Sequence, residues 1–152
     1  MKIGILIVVI WTFLMVPAQA SEIAGPKDRY LCTVDKASGF IYNSRLKAWD
    51  NAIFRADSKY LIAASRNPES AFQITKVGDN FPSGSCVKGF NEAGYLICGT
   101  LTFGGQFRFN KTNGRFVHIS SFGYYTVGPG LASEKDEDSE TPLLEIGKCS
   151  RF

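Results

Sequence analysis

Short runs rich in Phe, Tyr, Ile, Val and Thr recur along this chain, each closed off by Gly, Asn, Asp, Ser or Pro. Beyond the first twenty residues no long apolar pattern of period 3.6 appears, so helices are excluded as the scaffold and the pattern is all-β. It predicts strands at Arg29–Val34, Gly39–Asn43, Lys59–Ser65, Phe72–Val77, Ser85–Lys88, Tyr95–Thr100, Gly105–Asn110, Arg115–Ser120, Tyr124–Val127 and Leu143–Lys148. About 8–10 short strands suit a single small antiparallel β-barrel or a sandwich. Ala48–Ala56 lacks alternation and reads as an irregular crossing with Trp49 and Phe54 as core anchors. Pro68–Ala71 is read as a short helix.

The clearest hairpin joins Gln106-Phe107-Arg108-Phe109-Asn110 to Arg115-Phe116-Val117-His118-Ile119. Between them, Asn113-Gly114 supplies the positive φ that a tight turn requires. A connection of two or four residues gives the same parity, so Phe107, Phe109, Phe116 and His118 share one side of the ribbon, the core side.

Four cysteines bound the architecture further. Three pairings are open to them. Cys86 and Cys98 bracket Lys88-Gly89-Phe90-Asn91-Glu92-Ala93-Gly94, a segment able to double back, and are expected to pair. Cys32 and Cys149 are then left to tie the first strand to the last. A zinc site is disfavoured, because there is no Cys-x-x-Cys and the single histidine, His118, is far from every cysteine in sequence.

The leader reads as an address. Lys2 precedes an apolar run from Ile3 to Val16, and Ala18-Gln19-Ala20 gives the small-x-small pattern before Ser21. Residues 1–20 are therefore expected to be a cleavable signal peptide rather than a span, which needs roughly 20 apolar residues. Residues 21–152 form one β domain on this reading, in the periplasm or secreted. A mobile acidic loop is expected near 131–141, since Glu134-Lys135-Asp136-Glu137-Asp138-Ser139-Glu140 cannot bury apolar surface.

Charge points away from nucleic acid. The net charge is +3, and Arg29, Lys36, Arg45, Lys59 and Arg66 are dispersed among acids rather than clustered. A barrel spanning the membrane is disfavoured too. Counting back in twos from Phe152 gives Ser150, Lys148, Ile146 and Leu144, and a lipid-facing row does not accommodate Lys148 at its centre cheaply.

No residue set nominates a reaction. His118 is the one available base, with Ser120 two residues on, but no nucleophile elbow accompanies it. It reads as a structural histidine beside phenylalanines. Asp35, Asp50, Asp57, Asp79 and Glu92 are available carboxylates, yet most of them fall in turns and no pair is singled out. Asp136, Asp138 and Glu140 alternate like the start of a calcium loop, but Thr141 and Gly147 stand where its glycine and closing glutamate belong. The glycine-rich neighbourhoods Gly104-Gly105 and Gly123 to Gly130 lack phosphate-loop spacing. Tyr124-Tyr125 puts one ring on each face of a strand, making these two residues candidate contacts for a ligand or partner at a barrel mouth.

The elements Tyr30-x-Cys32, Gly39-Phe40-x-Tyr42, Trp49, Lys59-Tyr60, Gly105-x-Phe107, Arg115-Phe116, Gly123-Tyr124 and Glu145-Ile146-Gly147-Lys148-Cys149 resemble small exported β-rich proteins of Gram-negative bacteria whose function is uncharacterised. That resemblance implies an envelope location. A second one, to small-barrel periplasmic lysozyme inhibitors, rests on Tyr30-x-Cys32, on Cys149 near the C-terminus and on Ser38-Gly39-Phe40-Ile41-Tyr42. In those proteins the Ser-Gly-x-x-Tyr motif follows the first hairpin, whereas here it follows the first strand directly.

The expectation is an exported, non-catalytic binding module without cofactor or metal. Its partner would be an envelope or extracellular protein or a small ligand. The alternatives are a lysozyme-inhibitor-like protein that binds a host or self hydrolase, a structural envelope protein, and a small hydrolase using carboxylates. Convergent carboxylates in a deep pocket would favour the hydrolase; a protruding loop or aromatic patch would favour binding of a protein.

Overall fold

The computed structural model describes residues 28–100, 104–121, 124 and 135–152. Nine strands run in chain order: β1 Tyr30–Asn43, β2 Ala48–Phe54, β3 Lys59–Ala64, β4 Phe72–Lys76, β5 Gly84–Cys86, β6 Tyr95–Thr100, β7 Gly105–Asn110, β8 Arg115–Ser120 and β9 Leu143–Arg151. Neighbours pair antiparallel in the order β2-β1-β3-β4-β5-β6-β7-β8-β9, and β9 returns to pair with β1. β1 and β3 to β9 therefore close an eight-stranded barrel. The sequence left barrel and sandwich open; the β1–β9 seam decides for the barrel, which leaves its eight strands no unpaired edge.

β1 is long enough to serve two purposes. Its first half pairs with β3 through Tyr30–Thr33, and its second half pairs with β2 from Ala37↔Phe54 to Asn43↔Ala48. Pairing with β9 stops at Gly39↔Leu143. Beyond that point the β1–β2 hairpin projects past the barrel wall. Asn43 caps its tip, its Oδ1 accepting from the backbone N–H groups of Arg45 and Leu46. This is the local hydrogen bonding that suits Asn to turns.

A bulge explains why the sequence reads β1 as two strands. The register with β9 shifts between Val34 and Lys36, leaving Asp35 as the extra residue. Tyr30, Cys32 and Val34 are buried before it and Ala37 after it, so the inward set changes from even to odd numbers. One continuous strand thus carries a break in its alternation.

The interior has an aromatic floor. Phe90 packs edge-on against Tyr30, Phe72 and Phe109 at 5.2–5.8 Å between centroids, and the ammonium of Lys111 lies 4.8 Å above its ring. Next along the barrel come the two disulfides, Cys32–Cys149 and Cys86–Cys98, as the sequence predicts. Cys32 and Cys149 face one another directly across the β1–β9 seam. Cross-links of this kind belong to an oxidising, non-cytoplasmic environment. Among the described residues no helix is long and apolar enough to cross a membrane.

The predicted hairpin forms in register, Phe107↔His118 and Phe109↔Phe116, with a four-residue turn at Lys111–Gly114. Gly114 adopts φ 69°, the left-handed conformation glycine enters without strain. Phe107 and Phe116 stack at 4.9 Å with an interplanar angle of 7°. Three expectations are corrected. Ala48–Phe54 is a regular strand instead of an irregular crossing. Trp49 sits on the projecting hairpin, tilted against Tyr42 at 5.5 Å, and is no core anchor, while Phe54 does pack against the core. Pro68–Ala71 forms a turn closed by Ser70 N–H on the Asn67 carbonyl rather than a helix. Of the predicted strand Tyr124–Val127 only Tyr124 is described, and it lies in a turn.

Candidate functional site

Opposite the aromatic floor the barrel opens. The β1–β2 hairpin rises beside this mouth, and a cavity of about 450 Å³ descends into it. Its walls come from strand ends that the topology gathers there: Ala37 of β1, Tyr60 of β3, Lys76 of β4, Ser120 of β8, and Leu143 and Glu145 of β9. Phe54, Arg55, Ser58, Ser83, His118 and Thr141 complete the lining.

Three polar side chains meet at the inner end. Alternation along β9 from the buried Cys149 through Gly147 turns Glu145 inward, and alternation along β8 from Phe116 does the same for His118. The two face one another in register, His118↔Glu145. Tyr60 reaches them from β3. Its Oη–H donates to Glu145 Oε2 at 2.5 Å, and His118 Nδ1 lies 2.8 Å from the same oxygen and 3.2 Å from the Tyr60 oxygen.

Glu145 is the one buried side chain with a formal charge among the described residues, with 3% of its surface exposed. Burial by itself drives its carboxyl pKa upward, but hydrogen bonds from His118 and Tyr60 and the charge on His118 outweigh that, holding it below the ordinary value. Tyr60 is pushed above the ordinary tyrosine value, first by burial and then by its bond to Glu145. The phenol therefore stays protonated and donates.

With the carboxylate ionised, His118 donates to it from Nδ1, which leaves Nε2 as the ring nitrogen turned to the cavity. Nε2 has no hydrogen-bond partner among the described residues and is not a buried orphan, so it is open to the cavity. The ring is held by contacts with Tyr60 at 5.3 Å and Phe107 at 5.9 Å. The mouth thus presents a fixed ring nitrogen backed by a carboxylate, ringed by three serine hydroxyls and the apolar faces of Phe54 and Leu143.

Sequence reasoning weighed His118 and Ser120 but read His118 as structural, and it missed Glu145 and Tyr60. The signal for Glu145 was present: once Cys149 is placed inside, period two places Glu145 inside as well. None of the carboxylates singled out from the sequence lines the cavity. Asp35 is the bulge residue, Asp50 accepts from Asn43 on the hairpin at 3.1 Å, and Asp57 pairs with Arg55 at 3.0 Å. Asp79 and Glu92 lie in exposed turns.

Of the two tyrosine candidates, Tyr124 is half-exposed and meets the Trp49 ring edge-on at 5.0 Å, which places it against the hairpin. Tyr125 lies outside the described residues, as do the signal peptide and 131–134 of the acidic stretch. Asp136–Asp138 form a short 3-10 turn. Among the described residues no cluster of three metal-ligating side chains occurs. Comparison with protein-family models, with curated proteins and with solved structures found no match for this chain.

Proposed function

We propose that this protein is an exported, non-catalytic binding module, periplasmic or secreted, that holds a small ligand in the barrel mouth. The observation that carries this reading is the Glu145–His118–Tyr60 cluster at the inner end of an open cavity. An ionised carboxylate removed from water costs several kcal/mol before its partners compensate, and apolar residues of the same volume are often as stable or more so. The rest of the barrel interior follows the cheaper rule, filled with aromatic rings, aliphatic side chains and disulfides. A polar set retained where the barrel opens fits recognition better than packing. A single carboxylate among the lining residues argues against glycosidase chemistry, which uses a flanking pair.

The test is an amide NMR titration of the oxidised protein lacking residues 1–20 against a library of small acids, amines, alcohols and sugars. Saturable shifts confined to mouth residues such as Ser58, Ser83 and Ser120 are expected. If no compound shifts them while the protein is folded, the reading is wrong.

A second reading has its own observation. The β1–β2 hairpin projects beyond the barrel with Ile53 93% exposed and Tyr42, Trp49 and Tyr124 in contact above it. It suits a protein partner, as the lysozyme-inhibitor resemblance implies. Adding the protein to a lysozyme assay separates the two readings: inhibition that is lost on replacing residues 40–51 with a two-residue turn would make the hairpin the working surface.

A further inference from the structure

The fixed charges around the mouth narrow what can enter it. An organic anion meets Glu145, whose carboxylate is already ionised at the inner end. An organic cation meets Lys76, exposed at the rim. Neither sign is favoured. A greasy ligand is disfavoured as well, because filling the cavity would cover His118 Nε2 and the serine hydroxyls without replacing their hydrogen bonds with water.

The remaining class is a neutral molecule with many hydroxyl groups and one apolar face. Each hydroxyl both donates and accepts, so it can answer a carboxylate oxygen at one position, Nε2 at the next and a serine beyond. Phe54 supplies the complementary surface: it lines the cavity, is half-buried against the core, and is anchored at the end of β2 opposite Ala37. A cavity of about 450 Å³ is within the range of small-molecule sites and suits one sugar ring rather than an extended chain.

We propose that the barrel mouth is a monosaccharide site in which a pyranose lies with its apolar face on Phe54 while Glu145 accepts a hydrogen bond from one hydroxyl and His118 Nε2 bonds the neighbouring one. This rests on reading the mouth as a ligand site and names the ligand class. His118 acts as a directed hydrogen-bonding group whose orientation is set by Glu145 and Tyr60, Ser58 is held against that same pair, and Ser83 and Ser120 adapt to the remaining hydroxyls.

The experiment uses the oxidised protein lacking residues 1–20 and six probes: glucose, galactose, mannose, N-acetylglucosamine, and, as charged rings of similar size, benzoate and cyclohexylamine. At least one sugar is expected to shift the amides of Ser58, Ser83, Ser120 and Leu143 saturably and to move the Phe54 ring protons. Glu145→Gln and Phe54→Leu are each expected to weaken that sugar at least tenfold, and Tyr95→Phe, at the far end of the barrel, to leave it unchanged. Should Glu145→Gln fail to fold, Ser83→Ala gives the same readout with an expected loss of threefold or more. Saturation by benzoate or cyclohexylamine with no response to any sugar overturns the sugar assignment and leaves the ligand-site reading standing. Silence of all four sugars overturns it too, and silence of the whole library described above overturns both.

Discussion

Removing the two disulfides one at a time measures how much each restrains the unfolded chain. The Cys32–Cys149 bridge spans a sequence separation of 117 and the Cys86–Cys98 bridge one of 12. In the chain-entropy account these closures contribute about 4.9 and about 2.8 kcal/mol at room temperature, a difference of about 2 kcal/mol. All four sulfurs are buried, so the packing lost on substitution by alanine is similar for the two pairs and largely cancels in the comparison. Cys32→Ala/Cys149→Ala is therefore expected to lose about 2 kcal/mol more than Cys86→Ala/Cys98→Ala in urea unfolding monitored by tryptophan fluorescence, where Trp49 reports. Equal losses, or a larger loss from the short loop, would refute the entropic reasoning. They would show that the β1–β9 seam stays closed in the unfolded ensemble or that the 86–98 bridge supports native packing the other does not.

Further outcomes follow from the same geometry. Because the Glu145 carboxyl is held below its ordinary pKa, its contribution is fully present above the unfolded value of about 4.3 and is lost as pH falls through the folded one. Glu145→Gln should cost about 1.5–3 kcal/mol at neutral pH and flatten the acid limb of stability against pH, measured by thermal melts across pH 3–7; an unchanged acid limb would contradict the assignment. Gly147→Ala should destabilise by about 1–3 kcal/mol, since its Cβ would strike the Thr33 carbonyl oxygen and the Phe116 ring, whereas Gly99→Ala, with nothing within 4 Å, should be within about 0.5 kcal/mol of the parent. Deleting Asp35 should leave the protein folded with no free thiol, because Lys36↔Ile146 then follows Val34↔Gly147 without a break; deleting Thr33 should not, because it slips the pairing beside Cys32. Thiol titration and near-ultraviolet circular dichroism distinguish the two.

The strands that pack against the core were the legible ones. Tyr95–Thr100, Gly105–Asn110 and Arg115–Ser120 each alternate buried and outward residues, or begin to, and their limits in the structure match those expected from sequence. β2 was illegible for a physical reason: it is paired on one side alone and no residue in it is fully buried, so no apolar face imposes a period of two. Asp35 hid the continuity of β1 by reversing its alternation. The site divides the same way. His118 was visible because phenylalanines on its own hairpin fix its side of the sheet. Glu145 and Tyr60 depend on strands distant in sequence, and their meeting follows from barrel closure, which local pattern does not encode.

The two ends of the described barrel lie side by side. Tyr30 pairs with Arg151, Asp28 holds Arg151 at 3.0 Å, and the Phe152 N–H donates to the Arg29 carbonyl. All of this happens at the aromatic floor, with the length of the barrel between it and the mouth. Asp28 and Phe152 therefore stand together at the base, where a stem would join a cup. Tethered to a surface by either end, the protein would hold its opening and its hairpin outward, toward what diffuses past and away from what it is fixed to.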